Sequence, residues 1–178
     1  MSEQQAKENK IVRWGVFNAL VAVVATYVTM YFLNKDETRF AFDSTFEGRL
    51  KLLAEALVFP CFFALAMVIK VGSQRFGNPA QDPTKMNANS AKMKTDIQIL
   101  QNTFEQTLIL VISLFALSVM LPAEWLWVIP TNGILFITGR VLFFTGYHIN
   151  PLFRVVGFAM GLFSSLSATL YCCAVVAI

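Results

Sequence analysis

Five long apolar runs alternate with polar stretches along this chain of 178 residues. The first, Trp14 to Leu33, carries no charge over about 20 residues, the length at which a helix crosses a bilayer core. The apolar region of a secretory signal is about 7 to 15 residues. The run is therefore expected to be a retained span, preceded by a polar, frayed segment at 1–13. A charged loop follows at 34–51, with Lys35, Asp36, Glu37, Arg39, Asp43, Glu47 and Arg49. The second span is expected at about 52–69, with Pro60 in its middle as a tolerated kink. Glu55 near its start has Lys51 as its partner at i−4. Val71 to Ile97 is the longest polar stretch and reads as a loop holding Pro79 and Pro83, with a helical start near Ser90. A third span at about 98–121 opens polar, turns apolar from Leu108 and is stopped by Pro122. The fourth, about 125–147, begins with Trp125 and Trp127, which suit a membrane interface. Asn150-Pro151 marks a tight turn. The fifth, 152–178, has no charge after Arg154 and is rich in Gly157, Ala159, Gly161, Ser164, Ser165 and Ala168. Small residues let helices approach closely in lipid. Gly157 and Gly161, four apart, suit packing within the bundle or dimerisation.

Composition fixes the solvent. Hydrophobic residues make up 56% and charged residues 14%, against roughly 25% charged in soluble domains, and the mean hydropathy is +0.59. A soluble fold of this size has no interior for that much apolar surface, but a bilayer solvates it. The expected fold is one all-α integral membrane domain. A net charge of +3 without a basic, aromatic-interleaved run gives no reason to expect a nucleic-acid partner. Cys61, Cys172 and Cys173 lie in apolar runs and are read as buried small hydrophobes rather than a disulfide framework, with acylation of a cysteine near the membrane surface as the alternative. His148 is the one histidine, so no histidine-based metal site is expected, and its place beside the turn suits an interfacial polar residue. Basic residues cluster on one side of a five-span topology: Lys7, Lys10 and Arg13, then Lys70, Arg75, Lys85, Lys92 and Lys94, then Arg154. That bias places the N-terminus in the cytosol, in an endomembrane of a eukaryote or the inner membrane of a bacterium.

Polar groups at membrane depth are expensive and point to function by default. The third span opens with Gln98, Asn102 and Glu105, whose spacings of four and three share a helical face. Arg140, Phe144 and Tyr147 share a face of the fourth, with Arg140 about 10 Å deeper than Tyr147. Arg154 follows the next turn. Antiparallel packing then brings one carboxylate, two guanidinia, amides and a phenol to one end of the bundle. The simplest outcome is an ion pair between Glu105 and Arg140. The sharper one is a polar cleft for an anionic ligand, since arginine binds carboxylates through two hydrogen bonds and favours a thiolate over a thiol.

These residues resemble the MAPEG superfamily, the membrane-associated proteins of eicosanoid and glutathione metabolism. Asn102-Thr-Phe-Glu105-Gln106 is similar to the family's N-x-x-E element. Arg140, Gly146-Tyr147 and Arg154 reproduce its spacing of an arginine, a Gly-Tyr pair and a second arginine after the turn. The likeness covers about residues 52–178 and implies a four-helix bundle assembled as a homotrimer, here preceded by one additional span. By resemblance, glutathione is the co-substrate, held by Gln98, Asn102, Glu105, Arg140 and Tyr147, while Arg154 stabilises its thiolate. Lipophilic electrophiles or lipid hydroperoxides are the expected substrates, drawn from the surrounding membrane lipid. Three positions depart from the enzymatic pattern: Gln98 where an arginine is usual, Phe143 where a tyrosine is frequent, and Gln106 in place of an aromatic. The leading span and the Asn-Thr-x-Glu-Gln form resemble the divergent mattrin-like branch.

Three classes of function follow. A glutathione-dependent membrane transferase or peroxidase is favoured by Arg140, Tyr147 and Arg154. A non-catalytic protein of the same fold, binding a lipid or protein partner, is favoured by Gln98 and Phe143. A small transporter has only the intramembrane charges in its favour.

Overall fold

The computed structural model describes residues 3–35, 42–76 and 90–178. Residues 36–41 of the charged loop, and Pro79, Pro83 and Lys85, lie outside them. Five helices account for nearly all of the described chain: α1 (Glu3–Asn34), α2 (Phe46–Arg75), α3 (Ala91–Met120), α4 (Val128–Ile149) and α5 (Arg154–Ala177). One 3-10 turn, Ala123–Trp125, joins α3 to α4. Each of the five is long and apolar enough to cross a membrane, counting that turn with α4. The protein is a multi-pass integral membrane protein.

The helices outrun the apolar runs. Instead of fraying, the polar residues before Trp14 continue α1 back to Glu3, where Lys7 pairs with Glu3 one turn away at 2.8 Å. Neither proline nor glycine interrupts them, so the helix propagates out of the apolar run. α2 begins at Phe46, inside the expected loop, because Thr45 caps it by accepting from Gly48 N at 3.1 Å. Ser90 caps α3 in the same way, accepting from Met93 N at 3.2 Å. α2 passes through the buried Pro60 and runs on to Arg75. No ion pair joins Lys51 to Glu55 among the described residues; both side chains are exposed and free to be solvated separately.

Small residues set the packing. α4 and α5 share the most extensive contact. There, a Cβ on Gly157 would collide with the backbone of Phe143 and Gly139, and one on Gly139 would lie 2.9 Å from Gly157 O and Gly161 N. The Gly157–Gly161 pair therefore packs inside this bundle. Leu52 and Leu53 of α2, Leu110, Leu114 and Leu117 of α3, and Ile129 and Phe136 of α4 form the largest apolar cluster. The outer faces are reversed: Phe59, Phe62 and Ile69 of α2 and Phe104 and Ile112 of α3 are more than half exposed, as suits contact with hydrocarbon. Cys61 and Cys173 also lie exposed, and only Cys172 is buried. Two of the three cysteines thus depart from the expected core role, because their helices present those positions outward.

The additional span is a packed part of the bundle. Ala19 and Val23 of α1 are buried against Leu135, Ala159 and Met160, and Gly15 comes up against Val155 and Val156 of α5. Deeper in, the Tyr27 hydroxyl donates to Asn132 Oδ1 at 2.6 Å and lies 2.8 Å from Ser167 Oγ. One side chain thereby ties α1 to both α4 and α5. At the end of the bundle away from Arg154, Arg49 caps α3 by donating from Nη1 to the carbonyls of Ser118 and Leu121 at 2.9 and 2.7 Å.

Candidate functional site: a polar cleft between α3, α4 and α5

At the opposite end, the start of α3, the end of α4 and the start of α5 enclose a cleft of about 420 Å³. Its polar lining is Gln98, Asn102, Tyr147 and Arg154, and Phe143, Val155 and Phe158 form the apolar part. Tyr147 donates from its hydroxyl to Gln98 Oε1 at 2.6 Å. The Arg154 guanidinium lies over the Tyr147 ring, 4.6 Å from its centroid. A cation held against an aromatic face keeps its charge while its N–H groups stay free for a ligand. Among the described residues Arg154 has no carboxylate partner.

Arg140 stands behind the cleft instead of in it. Its side chain has 0% exposure. Nη1 donates to Asn102 Oδ1 at 3.0 Å and Nη2 to Gln106 Oε1 at 2.7 Å, while Nε has no partner. Phe136 and Phe143 flank the guanidinium, with centroids 5.2 and 4.9 Å away. A buried cation without a carboxylate is costly, and amide oxygens with aromatic faces offset only part of that cost. Arg140 thereby fixes Asn102, whose amide nitrogen is left for the cleft.

The expected pairing of Glu105 with Arg140 does not form. Glu105 is exposed, accepts from Gln101 Nε2 at 3.0 Å, and lines a neighbouring groove with Val68, Leu100 and Phe104. Asn102 and Glu105 are three residues apart, hence about 60° apart around the helix. That angle lets Asn102 and Gln106 face Arg140 while Glu105 turns outward. Within one chain the structure brings together Gln98, Asn102, Tyr147 and Arg154, with Arg140 supporting them, and leaves Glu105 outside.

One polar cluster was invisible in the sequence. Asp96, with 0% exposure, accepts from Lys70 Nζ at 2.5 Å and Gln74 Nε2 at 2.7 Å, and His148 Nε2 lies 3.2 Å away. Lys70 also sits over the Phe144 ring at 4.4 Å. His148 is an exposed residue beside the turn, as expected, whose ring also reaches the buried Asp96 carboxylate. Asp96 falls in the stretch read as a loop, and its partners come from α2 and α4, so no local spacing announced it.

Residues 52–174 match the MAPEG family, a range that takes in α3, α4, the cleft and nearly all of α2 and α5. The chain belongs to the MAPEG family. The α1 span lies outside the matched range. Among curated proteins, none matches the chain by sequence. Membership in the MAPEG family connects the protein with membrane-bound glutathione and eicosanoid metabolism in general terms.

Proposed function

We propose that the cleft binds glutathione and that the protein is a glutathione-dependent transferase or peroxidase acting on lipophilic electrophiles or lipid hydroperoxides. The observation that carries this reading is the Arg154 guanidinium, free of carboxylates, at a cleft lined by Gln98, Asn102 and Tyr147. A tripeptide thiol offers carboxylates, amides and a sulfur to those groups. A nearby guanidinium favours the thiolate. In the transferase reaction the thiolate sulfur forms a bond to an electrophilic carbon of the lipid. The electron pair released there takes up a proton, replacing the one the thiol lost. The apolar wall of Val155 and Phe158 suits the lipid chain.

The same reading makes the assembly a homotrimer with its basic ends toward the cytosol. Glu105 then enters the site at a boundary between subunits, which agrees with its outward direction. Calorimetric titration of glutathione into the detergent-purified protein, beside Arg140→Ala, is the first test. Saturable binding lost in the variant supports the site, and no binding at millimolar glutathione rejects it. For catalysis, Arg154→Ala is expected to abolish thiol-dependent turnover without unfolding the protein. Retained turnover removes Arg154 from the chemistry.

A second reading is favoured by Phe143 and Gln98. Phe143 is buried where relatives place a phenol, and Gln98 is already engaged by Tyr147. On that reading the MAPEG fold is kept without catalysis and serves a lipid or protein partner.

A further inference from the structure

Two rungs cross between the start of α3 and the end of α4, one lining the cleft and one close to it in sequence on both helices. One is Tyr147 with Gln98, at 2.6 Å. The other is His148 with Asp96, at 3.2 Å, one residue further along α4 and two residues back along α3. Asp96 has no solvent exposure, and both its oxygens are occupied, Oδ1 by Lys70 and His148 and Oδ2 by Gln74. One carboxylate therefore fixes the spacing of α2, α3 and α4 beside the residues that line the cleft.

The hydrogen-bond pattern at His148 restricts its protons. Nδ1 lies 2.8 Å from the carbonyl oxygen of Phe144. A carbonyl only accepts, so Nδ1 carries a proton in either charge state. In the neutral ring, Nε2 then turns a lone pair toward the Asp96 carboxylate, and only Lys70 Nζ, 3.4 Å away, has a proton to offer it. In the imidazolium, Nε2 donates to Asp96 and faces the Lys70 ammonium as a like charge. The charged groups facing His148 are Lys70 from α2 and Asp96 from α3; on the α5 side Arg154 faces Tyr147 instead. The 3.2 Å rung is an attraction in one protonation state and a repulsion in the other.

We infer that Asp96 and His148 are positioning residues for the cleft, and that the placement of Tyr147 against Gln98 follows the protonation of His148. Protonation draws the end of α4 onto α3 and closes the Tyr147–Gln98 contact. Deprotonation releases the rung, and the adjacent tyrosine hydroxyl moves with the last turn of α4. Histidine is the side chain whose ordinary titration falls in the physiological range. Lys70 and His148 are both about one-third exposed, so solvent protons reach them. The relevance of this device to a thiol ligand rests on the function proposed above, but the device itself does not.

The experiment uses the full chain in detergent micelles, labelled with 3-fluorotyrosine. Four tyrosines are present, and Tyr147→Phe assigns the resonance of interest. Between pH 5 and 8 the Tyr147 fluorine signal is expected to titrate in the unaltered protein and to stay flat in His148→Gln, with Asp96→Asn losing the same response. A flat Tyr147 signal in the unaltered protein, or an unchanged titration in His148→Gln, overturns the inference. Glutathione titration at the two ends of the range separates the two readings. Affinity roughly three- to tenfold higher at the acidic end, in the unaltered protein alone, is the size expected for gaining one hydrogen bond. A fluorine titration without glutathione binding at any pH supports the positioning device and rejects the glutathione site.

Discussion

Gly161 of α5 faces the contact that holds Arg140: a Cβ at this position would lie 2.7 Å from Arg140 Nη2 and 2.7 Å from Gln106 Oε1. Glycine here keeps a space in which a guanidinium meets an amide deep in the bundle. Gly161→Ala is expected to displace that hydrogen bond and to cost about 1–3 kcal/mol by overpacking. Gly157→Ala should cost more, because its Cβ would meet the backbone of Phe143 and Gly139, which cannot rotate away. Thermal unfolding in detergent measures both, and the order of the two losses is the decisive result.

Arg140 and Glu105 are expected to behave as unrelated residues in the folding of one chain. Arg140→Met strands the buried Gln106 amide, a loss of about 1–3 kcal/mol, and the half-buried Asn102, which loses less. Glu105→Gln touches only the exposed contact with Gln101 and should change stability by about 0.5 kcal/mol or less. A double-mutant cycle read by denaturation should give no coupling beyond about 0.5 kcal/mol. Strong coupling would mean that the two charges meet, either within one chain or across a subunit boundary.

Tyr27→Phe removes one hydroxyl shared by Asn132 and Ser167. Hydrogen bonds between helices in membranes contribute on average about 0.6 kcal/mol, up to about 1.7. We expect a loss in that range, together with faster proteolysis of α1. The same variant in a Ser167→Ala background should lose less than the sum of the two. Full additivity would show that the Tyr27–Ser167 contact contributes nothing, and no loss in Tyr27→Phe itself would show that α1 is held by apolar packing alone.

Gln98→Arg tests the departure from the enzymatic pattern. An arginine cannot accept from the Tyr147 hydroxyl, so the contact at 2.6 Å is lost. It adds a fork of donors to the cleft, worth about 1.5–3 kcal/mol against a carboxylate. Glutathione affinity is expected to rise by about tenfold or more. No gain in calorimetry would indicate that the cleft does not receive the ligand's carboxylate at this position.

The spans were legible because hydrocarbon demands long apolar runs, and nothing else in the chain produces five of them. Their ends were not, because a helix needs no apolar side chains once it has left the bilayer; Glu3–Val12 and Phe46–Lys51 continue as helix on backbone hydrogen bonds with polar side-chain contacts such as Lys7–Glu3 and the Thr45 cap. Asn102, Tyr147 and Arg154 converge as their spacing suggested, since helical periodicity and antiparallel order place them without further information. Glu105 differs because a shared face spans a wide arc, and one step of about 60° separates the bundle interior from its outside. Asp96 was missed for another reason. Its contacts with Lys70 and His148 span 26 and 52 positions in the chain.

The anchoring of Tyr27 also sets an order of construction. Its partners Asn132 and Ser167 lie 105 and 140 residues further along the chain. During synthesis, α1 precedes both partners, so its hydroxyl meets Asn132 only once the fourth helix has been delivered and Ser167 only with the fifth. The first helix must therefore wait beside the insertion machinery, or in the open bilayer, while the family core is laid down. Its docking on α4 and α5 follows their delivery, so a segment made ahead of its partners reaches its final place only after them.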